Sequence, residues 1–231
     1  MKILAVESSA SAASAAVWED GKLLCEAFTN VGLTHSQTLL PLVEQILSCA
    51  QISFSEIGCY AVAVGPGSFT GVRIGVSLVK GLAFSGKVPC VPVSTLEAMA
   101  RLFTGQRANI CCAMDAGCGQ VYNALFEVNS GAVTRLCEDR AIAASQLGEE
   151  LAADGRSWIL TGDGATLCWE SFGKDVYKRQ VMESDWYWPT KTAGIQSTVG
   201  SGLCGKMFQV FNRFFDIIID YSGTLYYNSS G

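Results

Sequence analysis

The first thirty residues alternate short apolar runs with glycine- and serine-rich breaks, a rhythm of strands and turns rather than helices. Residues 2–6 (Lys-Ile-Leu-Ala-Val) predict a strand, 8–13 a turn of small residues, and 15–19 a second strand. Asp20-Gly21 is a two-residue hairpin signal leading into a third strand at 22–29. The apolar period then lengthens: Leu39, Leu40, Leu42, Val43, Ile46 and Leu47 recur at helical spacing, so a helix is predicted from a Thr34 cap to about Ala50. A strand at 59–64, a glycine turn, a helix at 71–86 and a strand at 90–93 follow. Ser94-x-x-Glu97 is a capping-box pattern that opens a helix to about Phe103.

The plan then recurs. Strands are predicted at 110–114, 121–128 and 132–137, with a turn at 115–119 and a hairpin at 129–131. A helix at 144–153, a strand at 158–161 and the turn Gly162-Asp163-Gly164 come next. Three antiparallel strands followed by alternating helix and strand, twice over, predict an α/β protein of two related lobes. The first lobe is expected over 1–105 and the second, incomplete one over 106–174.

After Lys174 the alternation stops and aromatic residues crowd together, three at 186–188, four at 208–215 and three at 221–227. The junction, Asp175-Val176-Tyr177-Lys178-Arg179-Gln180, matches the translation of a transposase end sequence used in preparing sequencing libraries (GAT GTG TAT AAG AGA CAG). Residues 175–231 are therefore expected to be an artefactual chimeric tail; the alternative is a natural, divergent segment. Phe208, Phe211, Phe215 and Ile218 keep helical spacing within it.

Charge narrows the function. The net charge is −5 and the pI about 4.9, which gives no global footprint for nucleic acid. A run of 18 or more apolar residues is absent and the start reads as a strand, so a cytoplasmic, non-membrane protein is expected. Ten cysteines include no C-x-x-C pair and mostly sit in apolar segments, which predicts reduced, buried thiols. A single histidine excludes a metal site built on a histidine pair.

The most informative run is Val64-Gly-Pro-Gly-Ser-Phe-Thr-Gly-Val-Arg-Ile-Gly75, which reads strand, tight turn, helix. Amides gathered at a helix N-terminus can hold an anion. Alternatively, the glycines only permit a sharp turn and close packing. The spacing is neither that of a P-loop nor that of a dinucleotide fingerprint.

This run, with Ile3-Leu-Ala-Val-Glu-Ser-Ser9, His35-Ser-Gln-x-Leu-Leu-Pro41, Lys80-Gly-Leu-Ala83, Met114-Asp-Ala116 before Val121-Tyr122, and Gly162-Asp-Gly-Ala165, resembles the TsaB family of bacterial tRNA threonylcarbamoyladenosine biosynthesis proteins. The resemblance covers roughly residues 1–170. Glu7 stands where the family usually has Asp, and Gly117 where Arg tends to follow Asp-Ala. It implies the two-lobed actin/hexokinase/Hsp70-type ATPase fold and kinship with the transferase TsaD. Where TsaD carries Pro-Val-His-His-Met-Glu-Gly-His, this chain has Pro92-Val-Ser-Thr-Leu-Glu-Ala-Met99, so Thr95 and Met99 replace the metal-binding histidines. A hydroxyl and a thioether are poor ligands for iron or zinc.

The resemblance thus implies a non-catalytic scaffold for threonylcarbamoyl transfer to the adenosine beside the anticodon of ANN-decoding tRNAs. It would bind TsaD through two helices, join TsaE in a larger complex, meet tRNA only through that complex, and form a homodimer when TsaD is absent. On the first helix the apolar arc spans roughly 160°, wider than the roughly 100° one sheet requires. The expected interface is His35, Leu39, Leu42, Val43 and Ile46 with Val72, Arg73, Gly75, Val76, Val79 and Lys80 of the second helix. Gly71 and Gly75 would allow close helix approach, and Arg73 and Lys80 form a basic rim. The rival is an ATP-binding enzyme of the sugar-kinase/ATPase superfamily. Its remnants would be Glu7, Ser8, Ser9, Asp115, Gly162 and Gly164, with no metal, no resident cofactor and at most weak ATP or ADP binding at a complex interface.

Genomic DNA read across codons 175–180 checks the junction. The expected outcome is that the adapter codons are missing from the genome; an uninterrupted natural reading frame through them would make the tail genuine.

Overall fold

A computed structural model describes residues 1–172 and the backbone of 180–182. The first lobe is a five-stranded sheet in the order β3-β2-β1-β4-β5, formed by β1 (Lys2–Glu7), β2 (Ala13–Glu19), β3 (Lys22–Thr29), β4 (Ile57–Gly65) and β5 (Cys90–Ser94). β1, β2 and β3 pair antiparallel as a meander, whereas β4 lies parallel to β1 and β5 parallel to β4. The parallel strands need crossovers, supplied by α1 (His35–Ala50) and α2 (Phe69–Gly86).

The second lobe repeats this order. β6 (Ala108–Gly117), β7 (Gln120–Asn129) and β8 (Ala132–Arg135) form the meander, and β10 (Trp158–Thr161) runs parallel to β6. β9 (Arg140–Ala143) pairs with β7, and α4 (Ala144–Asp154) and α5 (Ala165–Ser171) are the crossovers. The short β11 (Gln180–Met182) takes the fifth position beside β10. This duplicated topology is the two-lobed ATPase-type fold. Apart from that strand's backbone, the chimeric tail expected over 175–231 lies outside the described residues.

Strand alternation sorts side chains onto two faces. Leu4, Val6, Ala15, Val17, Tyr60 and Val62 face α1 and α2, while Ile3, Ala5, Ala16, Cys59, Ala61 and Ala63 face the other way. α3 (Thr95–Arg101) follows β5 without a loop and lies between the lobes: Ala98 joins the first lobe's cluster, and Leu96, Met99 and Ala100 pack on Ile110, Cys112, Met114 and Phe126. No helix among the described residues is long and apolar enough to cross a membrane.

Several boundaries differ from the sequence reading. α2 begins at Phe69 instead of Gly71, because the Ser68 side chain accepts from Gly71 N and caps the helix earlier. Thr34 occupies the N-cap of α1, but its hydroxyl donates to the Gln37 side chain and makes no capping bond to the backbone. Only half of the expected capping box forms at Ser94: its hydroxyl accepts from Glu97 N, while the Glu97 carboxylate binds Arg101 and Arg135. β9 and α5 were not anticipated.

The close approach of α2 to the β1–β2 turn makes a test. A Cβ at Gly71 would run into the Ser8 carbonyl oxygen, whereas one at Gly81, exposed on the same helix, meets nothing. Gly71→Ala is expected to lose about 1–3 kcal/mol in urea unfolding. Gly81→Ala should gain about 0.5–1 kcal/mol.

Candidate functional site

The glycine run is consumed by contacts within the chain. Ser68 N donates to Ser9 O (2.6 Å), Gly71 N to Ser68 Oγ (3.2 Å) and Val72 N to Ser68 O (2.9 Å), so these amides at the start of α2 are already partnered. Ser8 Oγ donates to Gly71 O at 2.9 Å, and a Cβ at Gly75 would strike that same hydroxyl. The 8–9 turn thus packs directly on the start of α2, which favours the close-packing reading of the glycines.

The candidate nucleotide remnants divide between the lobes. Glu7, Ser8 and Ser9 are all buried. Glu7 Oε1 accepts from Ser9 N (2.6 Å) and from the Ser9 hydroxyl, whereas Oε2 has no partner among the described residues. Burial pushes the Glu7 carboxyl above the usual carboxylate range, and the Ser9 donors pull it partly back. In the second lobe, Gly164 N donates to Ala113 O (3.1 Å), and a Cβ at Gly162 would hit that carbonyl. Asp115 is exposed, accepts from Gly117 N through Oδ1 (2.8 Å), and donates its own N–H to Asp163 Oδ1 (3.1 Å). Burial also raises the Asp163 carboxyl. Ala10, at the tip of the first turn, packs with Met99 and Met114 between the lobes.

Thr95 and Met99, which stand in the histidine positions, are core side chains. Met99 is fully buried against the second sheet, and the buried Thr95 hydroxyl has no partner among the described residues. No His/Cys/Asp/Glu cluster among the described residues could hold a metal. Cys59, Cys111, Cys112 and Cys168 are buried, and burial drives their thiols up, to about 11 for Cys59 and about 12 for Cys168. Such thiols stay protonated and inert. Cys49, Cys90 and Cys118 are exposed, against the expectation for most.

The two helices present a different face from the one the arc suggested. Leu39, Leu42, Val43, Ile46 and Val79 sit in the first lobe's own core, and Gly75 is buried on the 8–9 turn. They hold the helices in place and leave a partner little to touch, although Leu39 also lines the groove between the helices. His35 is half-buried and donates from Nε2 to Ala10 O at 2.7 Å, fastening α1 to the β1–β2 turn. Val72 and Val76 are half-buried, and only Arg73 and Lys80 of the expected set are fully exposed.

What remains outside is a groove of about 520 Å³ between α1 and α2. Leu39, Leu40, Phe69, Ile74 and Leu78 supply its apolar lining, with His35, Ser36, Thr70, Arg73 and Ser77 beside them, so His35, Leu39 and Arg73 of the expected interface lie on the groove. Leu40 is 39% exposed and Phe69 69% exposed, and the Arg73 guanidinium stacks 3.7 Å from the Phe69 ring centre. Phe84, about four turns further along the same side of α2, is 88% exposed. Sequence reasoning missed Phe69 because the helix was started two residues late. It missed Ile74, Leu78 and Phe84 because periodicity does not say which apolar edge lacks a neighbour.

The buried Glu7 makes a pH test. At low pH both folded and unfolded chains hold its proton. As pH rises through the ordinary carboxylate range the unfolded chain loses it first, so stability falls with rising pH and stays lowered once the folded carboxyl has ionised as well. Glu7→Gln should therefore gain stability relative to the parent as pH rises above about 4, and keep that gain at higher pH, read by urea unfolding. A difference that does not vary with pH would contradict the shift.

Comparison with known proteins follows the same outline. A family profile described as "TsaD: tRNA N6-adenosine threonylcarbamoyltransferase" matches residues 29–159. The chain is 33% identical over 180 residues to the tRNA threonylcarbamoyladenosine biosynthesis protein TsaB of Escherichia coli (strain K12), covering 76% of each chain. It is 32% identical over 170 residues to TsaB of Bacillus subtilis (strain 168), covering 72% of this chain and 73% of that one. The solved structure of YeaZ from Pseudomonas aeruginosa superposes with a TM-score of 0.65 at 28% identity, covering 75% of this chain and 80% of that chain. A further Pseudomonas aeruginosa structure, described as an uncharacterized protein with similarity to peptidase YeaZ, gives a TM-score of 0.69 at 27% identity over 78% of this chain and 82% of its own. With this level of identity over most of both chains, the protein belongs to the TsaB family of tRNA threonylcarbamoyladenosine biosynthesis proteins.

Proposed function

We propose that this chain is a non-catalytic scaffold subunit in tRNA threonylcarbamoyladenosine biosynthesis, and that the α1/α2 groove is where it docks the TsaD-type transferase. The observation that carries the reading is the apolar lining of that groove, with Phe69 and Leu40 held in solvent on helices whose cores are otherwise well buried. Exposed apolar surface of this kind, rimmed by polar residues, is characteristic of a protein contact.

The non-catalytic part rests on three placements. The 7–9 turn, where a kinase of this fold would hold phosphate, is buried beneath the start of α2. Its carboxylate is tied to Ser9 and lacks the ordinary pull toward ionisation. The residues at the transferase's metal-ligand positions are a buried threonine and a buried methionine. These placements favour a scaffold over the ATP-binding enzyme, and leave any weak nucleotide contact to a surface completed by a partner. TsaE, tRNA and a second copy of the chain enter the proposal only as members of the assembled complex.

The test follows from the corrected surface. Leu40→Asp and Phe69→Asp each put a charge into the groove without touching the core. Each is expected to weaken co-purification with the transferase about 100-fold while circular dichroism and melting temperature hold. Leu39→Asp should instead unfold the lobe. Full binding by both groove variants would reject the docking assignment.

A further inference from the structure

The outer ridge of α2 says what the partner must carry. At 100° per residue, Phe69, Arg73, Ser77, Lys80 and Phe84 fall within an arc of roughly 80°, with the buried Gly71 and Gly75 on the opposite side of the helix. All five ridge residues are exposed. α2 contains no Asp or Glu in its 18 residues, and Lys87 at its C-cap adds a third cation. The one carboxylate on α1 is Glu44. Among the described residues, none of the ion pairs involves Arg73, Lys80 or Lys87. A basic strip without acids therefore stands on a protein whose net charge is −5.

We infer that the partner in the α1/α2 groove is a helical protein surface bearing carboxylates two turns apart. The inference rests on the docking reading above and adds the chemistry of the partner's face. Arg73 and Lys80 are seven residues apart, about 10.5 Å along the axis. Seven residues is also the repeat at which charges flanking an apolar seam meet across paired helices. The apolar groove lies alongside the cations, so one facing helix can fill the groove and reach both charges. An RNA backbone would satisfy the cations and leave Leu40, Ile74 and Leu78 uncovered. A second copy brings its own cations to the same face, and one Glu44 per copy cannot balance them; like charges across a symmetric interface oppose association.

The test uses the full chain and the double reversal Arg73→Glu/Lys80→Glu, both exposed positions. At about 0.05 M salt the reversal is expected to weaken binding to the transferase about tenfold, and at about 0.5 M salt the difference should vanish. Without the transferase, an equimolar mixture of parent and reversed chains should associate about tenfold more tightly than either alone. If the parent binds the transferase and reversal changes nothing, the docking reading survives and the acidic-partner inference is overturned. If the parent does not bind the transferase, the docking reading fails, and a mixture no tighter than either chain alone overturns the charge inference as well. Parent chain that binds bulk tRNA unaided, and loses it on reversal, would assign the ridge to RNA and also overturn the inference.

Discussion

The contact between α2 and the β1–β2 turn governs the first lobe. Ser8 and Ser9 offer their carbonyls and one hydroxyl to the start of α2, and the helix can come that near only because residues 71 and 75 lack side chains. Three consequences follow. The amides of Ser68, Gly71 and Val72 are partnered, Ser8 and Ser9 are sealed from solvent, and the azimuth of α2 is fixed. His35 extends the constraint to α1 by bonding Ala10 O on the same turn. The groove between the helices is therefore a property of the rigid lobe and not of a loose helix pair.

The same contact occupies the turn that an enzyme of this fold would direct toward phosphate. An ATPase of this topology needs an open turn after the first strand, where backbone amides meet phosphate. In this protein the Ser9 amide donates to Glu7, the Ser9 carbonyl accepts from Ser68 N, and all of residues 7–9 are buried beneath the start of α2. α3 shows the parallel change. Its inward side carries Met99 and Leu96, which pack the lobes together, so a position suited to metal ligands contributes apolar core. Burial at both places supports using the fold as a platform.

The sequence made the sheets legible and the surface much less so. Asp20-Gly21 and the alternating runs on either side fixed the first hairpin, and the repeated strand–helix order revealed the second lobe. The four-residue β9 and seven-residue α5 carry too few periods to stand out. Periodicity located the apolar stripe of α1 but could not apportion it: Leu42, Val43 and Ile46 spend their area on the sheet, Leu39 is buried between the sheet and the groove, and Leu40 is exposed on the groove. Phe69 was hidden because Ser68 caps α2 earlier than the glycines suggest. Which residues remain exposed depends on how helices sit on a sheet, a tertiary fact that spacing alone does not encode.

The central claim is that the groove between α1 and α2 is the surface this protein offers to the transferase. Site-specific photo-crosslinking addresses it directly, with one probe at exposed Ser77 on the groove and another at exposed Lys22 on the far edge of the sheet. Docking in the groove should give a crosslink to the transferase from position 77 and none from position 22. A crosslink from position 22 with none from position 77 would contradict it.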